Sequence, residues 1–348
     1  MIYTVNNCIR AFGYTNFDRL VEDMGSVDNL KAYVIANGYA DIAVAEDTEL
    51  LLVDVNGKTW HTGCYGAVIE PEVEPDYLCF TSTGDSTVAM TQNGTPNTSA
   101  GKVIQYKLND GQWQTWDLSA VTLHDGDKMY LKSDDEIPVS ETSDIYKRFI
   151  MNGSIAASGN IMSLLNFSDT LTPYAFYYLF SGCISLTTAP NLPAITMQLD
   201  CYNNMFYGCT SLVNAPALPA TTLADSCYQS MFENCTSLTQ APTILPALIL
   251  KSSCYKSMFT SCTELTTAPA LPAKELVVYC YDNMFEVCTK LNYVKALFTQ
   301  LYNDEGPYGW LNIVSSTGTF VKSKDATWTN DEVGIPTGWT VQTASPDK

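Results

Sequence analysis

Apolar residues recur along the C-terminal half of the chain in a phrase of about 26 residues, a period typical of proteins built from stacked structural repeats. The phrase reads Cys-Tyr, then Met-Phe, then Cys, followed by Leu and Ala-Pro, as in residues 201–216, and the first copy is degenerate, with Ala175-Phe176 and Leu179-Phe180 in the first two places. The interval between successive copies is constant, apart from one extra residue before the fourth. The last cysteines of the copies, which set this interval, are Cys183, Cys209, Cys235, Cys262 and Cys288. The pattern predicts a solenoid of five repeats between residues 153 and 300.

Within each copy the apolar residues fall at i, i+4, i+8 and i+12, which predicts one stripe of a short helix. The following Ala-Pro segment predicts an extended run, because proline excludes helix and restricts the residue before it. Helices stack farther apart than strands, so the predicted solenoid curves with its extended runs on the concave face. The predicted core residues are Cys201, Met205, Phe206, Cys209, Cys227, Met231, Phe232, Cys235, Cys254, Met258, Phe259, Cys262, Cys280, Met284, Phe285 and Cys288.

Two smaller units precede the repeats. Residues 1–75 predict a small α+β domain, with helical spacing over 17–24 and 27–34 and a hairpin over 50–60 around Asn56-Gly57. Residues 76–152 alternate apolar and polar side chains between turn signals, which predicts a β-sandwich-like domain. Residues 301–348 predict a β-rich C-terminal cap over the last repeat, since an open end of a repeat stack exposes apolar surface. The fold class expected is therefore multidomain.

The repeats resemble those of a known family. The residues that carry the resemblance are the segment 155–165, the Leu-Pro-Ala triplets at 218–220 and 271–273, and the closing segment 334–341. Together with the five repeats they resemble the BspA-like leucine-rich repeat family, found in surface proteins of Bacteroides-type gut bacteria and in phages that infect them. The resemblance implies a leucine-rich-repeat fold, adhesion and surface display rather than a reaction.

Charge and cysteine content narrow the classes of function. The 37 acidic and 18 basic residues give a net charge of −19, which disfavours binding to nucleic acid or to an anionic membrane surface. Neighbouring repeats could bring some of the 12 cysteines within bridging range, but assembly in a cytoplasm disfavours oxidation, so free thiols are predicted. The spacing of the two cysteines within a repeat does not match a zinc knuckle.

Residues for catalysis are sparse. The chain has two histidines, His61 and His124, and neither follows a nucleophile motif. Trp113 and Trp116 could stack on a sugar, although alternation places one of the pair inward and favours core packing. We therefore expect a protein that is not an enzyme, with no catalytic, cofactor-binding or metal-binding residues.

The expected function is that of a phage virion protein in a fibre, decoration or tail-associated role. The N-terminal residues lack the layout of an export signal and no stretch is long enough to span a bilayer, which favours assembly in the host cytoplasm. Residues 1–75 would bind other virion proteins, and the arm could form a homo-oligomer. The alternative is a BspA-type bacterial surface adhesin whose export signal is missing from this sequence.

Two residues lie between the Leu and the Ala-Pro of a repeat. Their identity varies from repeat to repeat, whereas the apolar residues around them recur at fixed positions. Stacked, these pairs would form a ladder of small polar groups suited to a host-surface glycan or protein, and the alternative is a face that binds nothing. The candidate interaction residues are Thr187, Thr188, Val213, Asn214, Thr239, Gln240, Thr266 and Thr267.

Overall fold

The computed structural model describes residues 75–95, 103–134, 139–299, 307–326 and 334–345, together with the backbone of four strands nearer the N-terminus. The chain divides into two compact units, Met1–Pro75 and Asp76–Lys348. The segments predicted as separate domains, 76–152, 153–300 and 301–348, all lie within the second unit. Each unit is described by itself.

The described part of the first unit is an antiparallel sheet. Its strands are β1 (Asp41–Ala45), β2 (Glu49–Val53), β3 (Thr59–Thr62) and β4 (Val68–Ile69), paired in that order. Strands β2 and β3, predicted as a hairpin, pair with Leu50 opposite Thr62 and Val53 opposite Thr59. The two helices predicted at 17–24 and 27–34 lie outside the described residues.

The second unit begins with eight strands in two sheets. They are β5 (Leu78–Ser82), β6 (Ser86–Asn93), β7 (Ile104–Leu108), β8 (Gln114–Thr115), β9 (Val121–Leu123), β10 (Lys128–Ser133), β11 (Tyr146–Asn152) and β12 (Ile155–Ser158). Alternating side chains of β6 and β10 are buried, as expected for strands with one face on a core. One sheet has the order β11-β6-β9. The buried residues of both sheets belong to the same hydrophobic cluster as those of the repeats.

The larger sheet runs directly into the first repeat. Its order is β13-β12-β5-β10-β7-β8, where β13 (Leu186–Thr188) is the extended run of repeat 1. Strand β12 pairs antiparallel with β5 and parallel with β13. A short 3₁₀ helix, Ile161–Leu165, follows β12, and the Asn160 side chain accepts a hydrogen bond from the Met162 N–H at its start. The β-rich module and the repeats therefore share a continuous sheet and core.

The segments predicted as repeat helices are chains of turns, so that prediction is wrong. Every fourth residue in them has a left-handed backbone, which an α-helix excludes. In repeat 2, the Met205 N–H donates three residues back to the Tyr202 carbonyl at 3.2 Å, whereas the Phe206 N–H donates across to Met231 in repeat 3 at 2.9 Å. The left-handed positions are 174, 178, 182, 200, 204, 208, 226, 230, 234, 253, 257, 261, 279, 283 and 287.

This alternation of N–H groups joins every repeat to the next. Along each turn segment one N–H closes a turn inside its own repeat and the next N–H bonds to the following repeat. The Phe rings of successive repeats, from Phe180 to Phe285, consequently stack with centroids 5.3 to 5.6 Å apart. Helices need about 8–10 Å between axes, so helical repeats could not stack at this spacing.

The C-terminal segment adds a further turn segment and a small sheet. Residues 307–313 accept hydrogen bonds from Asn283, Phe285 and Val287 in the last repeat, each at 2.9 Å. Strands β14 (Tyr293–Ala296), β15 (Thr319–Lys322) and β16 (Thr340–Thr343) form a parallel sheet in that order.

The predicted fold class is therefore wrong. Where the structure describes the chain, it is strand-rich, only about 2% is helical, and the four sheets are neither closed nor solenoid-like. The curved α/β solenoid is not what the structure shows, and of the predicted N-terminal α+β domain the described residues show the four-stranded sheet alone. The physical reason lies in the turn segments, where a left-handed backbone at every fourth position, mostly at glycine or small polar residues, excludes the helix that the apolar spacing suggested.

Candidate functional site: the exposed ladder of the repeats

The eight candidate interaction residues form what we call the ladder. Thr187 is partly exposed, and the other seven residues are exposed. They are positioned by the buried leucine just before each pair, which is anchored in the core, for example Leu212 and Leu238, both fully buried. The side chain that follows a buried residue on an extended backbone points to the opposite face. Alternation therefore accounts for the exposure of the first residue of each pair; it would bury the second residue, which the structure nevertheless exposes.

Backbone pairing brings the ladder residues of repeats 1 to 3 together. Thr188 forms a parallel bridge with Asn214, and Asn214 forms one with Gln240. The Thr239 N–H donates to the Val213 carbonyl at 2.9 Å. These repeats thus present two amide side chains in register, one strand spacing apart.

The ladder is interrupted before repeat 4. Within residues 139–299 no backbone bridge joins Gln240 to Thr267, and the one extra residue of the repeat series falls in this interval. Thr267 instead forms a parallel β-bridge with Tyr293. Pairing resumes around the extra residue through Ile244 and Ala270. The structure therefore divides the predicted face into two groups, residues 187–240 and residues 266–293.

Two residues of this face were missed by the sequence analysis. Asn292 and Tyr293 take the place of Thr266 and Thr267 in the next copy of the phrase, and both are exposed. The Asn292 N–H donates to the Thr266 carbonyl at 2.9 Å. The repeat period was sufficient to find them.

Three of the ladder's threonine hydroxyls already donate to the protein. Thr187 Oγ1 donates to the Ile155 carbonyl at 3.1 Å, and Thr188 Oγ1 donates to the Ala157 carbonyl at 2.7 Å. Thr239 Oγ1 donates to Val213 at 3.3 Å. Their oxygen lone pairs remain as acceptors, whereas the amides of Asn214 and Gln240 offer both donors and acceptors. A ligand rich in hydroxyl or amide groups matches this chemistry.

The predicted core residues are all buried, and the cysteines are chemically quiet. All 16 have 0% exposed surface, and the ten described cysteines are free thiols. Burial raises the pKa of Cys201 to about 12 and that of Cys280 to about 11. A thiol with so high a pKa is protonated at neutral pH and is a poor nucleophile or metal ligand.

The remaining chemical candidates take structural roles. Trp116 is 4% exposed and stacks on Phe149 with centroids 6.2 Å apart, so it belongs to the core. Trp113 packs edge-on against Tyr77 at 4.8 Å and lies under the Lys132 ammonium at 5.2 Å. The two tryptophan rings therefore do not form a joint surface on which a sugar could stack.

His124 is exposed and bonds to Asp85 at 2.9 Å, and this hydrogen bond raises the pKa of the imidazole. The side chain of His61 lies outside the described residues. Across the described residues, no three His, Cys, Asp or Glu side chains are grouped to hold a metal ion.

Comparisons with family models, curated proteins and solved structures find no match to this chain. The resemblance to BspA-like repeats therefore stays a prediction. Of the helices that the structure describes, none has the length and apolar character needed to cross a bilayer.

Proposed function

We propose that this protein is a non-enzymatic virion structural protein whose repeats display an adhesive face to the host surface. The observation that carries the proposal is the ladder of residues 187–240, where exposed polar side chains of three successive repeats are held in register by backbone bridges. A rigid array of this kind suits many modest hydrogen bonds to a repetitive ligand. The first unit, Met1–Pro75, is proposed to bind other virion proteins.

Charge and resemblance support the same proposal. A net charge of −19 disfavours phosphate backbones and anionic lipid as partners, which leaves neutral or basic surfaces. The resemblance to BspA-like repeats, which occur in phages as well as in their hosts, supports a role in attachment.

The proposal is tested by changing the two amides of the ladder. Asn214→Asp with Gln240→Glu keeps the shape of each side chain, removes its N–H donors and adds two negative charges. We expect adsorption of the protein to host cells to fall at least tenfold. Gln229→Glu, in the turn segment of repeat 3, is the matched control and should adsorb like the wild type. Unchanged adsorption of the double variant would refute the role of the ladder.

Location is tested separately. Mass spectrometry of purified virions and of host membranes should find the protein in the virions. Recovery with the membranes alone would replace the virion proposal by the alternative, a bacterial surface adhesin.

A further inference from the structure

Four tyrosines cluster where the first repeat meets strand β11. Tyr177 and Tyr178 have ring centroids 4.5 Å apart, and Tyr146 of β11 lies 5.7 and 5.3 Å from them. Tyr174 lies 5.7 Å from Tyr177 with its ring at 76°. All four residues are partly exposed. We call these four residues the tyrosine cluster.

The fold does not require tyrosine at these positions. Tyr174 and Tyr178 have left-handed backbones, with φ of 60° and 59°, where bulky residues are unfavourable. At the position of Tyr178 the next two repeats carry Asn204 and Ser230, which tolerate or suit that backbone. The backbone conformation therefore does not favour tyrosine at 174 and 178.

Polar groups lie next to the rings. The Asp200 carboxylate accepts a hydrogen bond from Asn203 Nδ2 at 2.5 Å, and it lies close enough to Tyr174 to act on that side chain electrostatically. Burial raises the pKa of Tyr177, so its hydroxyl stays protonated at physiological pH. The cluster thus combines ring faces with hydroxyl, amide and carboxylate groups.

This combination matches a neutral sugar. Aromatic faces pack against the C–H face of a pyranose, and carboxylate and amide groups bond to its hydroxyls. Asp144, Asp200 and Glu233 act electrostatically on these tyrosines, so an anionic sugar would be repelled. We propose that the tyrosine cluster, with Asp200 and Asn203, binds neutral hexose units of a polysaccharide. This inference rests on the proposed adhesive function and names its ligand class at a second site, separate from the ladder residues.

The test variants replace the tyrosines by residues that other repeats carry at the same positions. Tyr174→Ser, Tyr177→Asn and Tyr178→Asn install residues that other repeats carry at the same positions, namely Ser226, Asn203 and Asn204. The triple variant should therefore fold, which circular dichroism checks, and Asp200→Asn is a second, milder variant. Tyr279→Ser is the matched control, because Tyr279 occupies the position of Tyr174 in the last repeat and has a similar φ of 55°.

Affinity electrophoresis through dextran, mannan, galactan and polygalacturonate measures the binding. We expect retention by at least one neutral polysaccharide, at least tenfold weaker in the triple variant and weaker in Asp200→Asn. Tyr279→Ser should bind like the wild type, and polygalacturonate should not retain the protein. The inference is overturned if no neutral polysaccharide retains the wild type, or if the triple variant binds polysaccharide equally.

Adsorption to host cells separates this inference from the proposed function. If the wild type adsorbs to cells while the triple variant binds polysaccharide as tightly as the wild type, the sugar site is wrong and the adhesive function stands. If the wild type fails to adsorb, the adhesive function is wrong, and polysaccharide retention lost in the triple variant would still establish the sugar site.

Discussion

The Cys235 thiol donates a hydrogen bond to the Phe206 carbonyl, 3.1 Å away in the preceding repeat. The same bond joins Cys183 to Phe149 of strand β11 at 3.3 Å, so β11 takes the place of a preceding repeat. The second cysteine of the phrase is thus a donor as well as a packing residue. This accounts for its presence in all five repeats, whereas the first cysteine is replaced by Ala175 in repeat 1.

Thiol reactivity is the first prediction. With the pKa of Cys201 raised to about 12 by burial, only about one thiol in 10⁴ is ionised at pH 8. We expect a Cys8→Ser, Cys64→Ser variant, which keeps the ten described cysteines, to react with Ellman's reagent no faster than it unfolds. In denaturant without reductant all ten should react. Rapid labelling of the folded protein, or fewer than ten thiols after unfolding, would contradict this.

The turn segments give the second prediction. Asn234 has φ of 62°, so Asn234→Ala should lower the free energy of unfolding by about 1 kcal/mol, because a left-handed backbone disfavours a Cβ without a compensating polar group. Asn234→Gly should be close to neutral. A helix would give the reverse order, since alanine is the best helix former and glycine among the poorest. Urea denaturation measures both variants, and Gln229→Ala at a neighbouring right-handed position is the control.

The repeat period and its buried residues could be predicted from sequence, but their local structure could not. Spacing of four residues is shared by helices and by these turn segments. An α-helix has about 3.6 residues per turn, so a strict period of four rotates the stripe by about 40° at each step and by about 120° over three steps. This drift, together with the Asn, Ser and Gly residues at most of the positions four apart, is the signal that could have distinguished turns from a helix.

The candidate site was predicted in outline. The exposed pairs follow from the period, and the same period reaches Asn292 and Tyr293. The tyrosine cluster was not predicted, because Tyr146 comes from strand β11 and joins the first repeat only through the tertiary fold. The sequence did carry one indication of the cluster: tyrosine stands at 174, 177 and 178, where the other repeats carry mostly small or polar residues.

Trp310 gives the third prediction. Its fully buried ring lies 6.4 Å from Phe285, the last of the stacked Phe rings, and 6.5 Å from Tyr281. Tyr281 ends a second stacked column, with centroids 5.7 to 5.9 Å apart, that consists of Phe176, Tyr202, Tyr228, Tyr255 and Tyr281. Trp310→Ala should lower the free energy of unfolding by about 3–5 kcal/mol, because it opens a cavity at the end of both columns. Tyr308→Ala, at a residue 69% exposed, should change stability by less than about 0.5 kcal/mol. Equal effects in urea denaturation would show that Trp310 does not close the columns.

Asp282 gives a prediction on pH. Its side chain is 10% exposed, and Oδ1 has no hydrogen-bond partner among the described residues. Burial raises the pKa of this carboxyl above its ordinary 3.8, against the opposing effect of Lys256. The folded state therefore favours the protonated form, and this carboxyl costs stability as the pH rises above that ordinary value. Asp282→Asn, which installs the residue that repeat 2 carries as Asn203, removes this cost.

We expect Asp282→Asn to be about 1 kcal/mol more stable than the wild type at pH 7 and equal to it at pH 3, measured by urea denaturation. Lys256 is not left buried without a partner, because it remains partly exposed and its Nζ lies 5.0 Å from the Tyr279 ring. Glu264→Gln, which removes the exposed ion pair with Lys290, is the control and should cost at most about 1 kcal/mol, less in high salt. A variant less stable than the wild type at pH 7 would show that the ion pair with Lys256 outweighs the cost of burying the carboxylate.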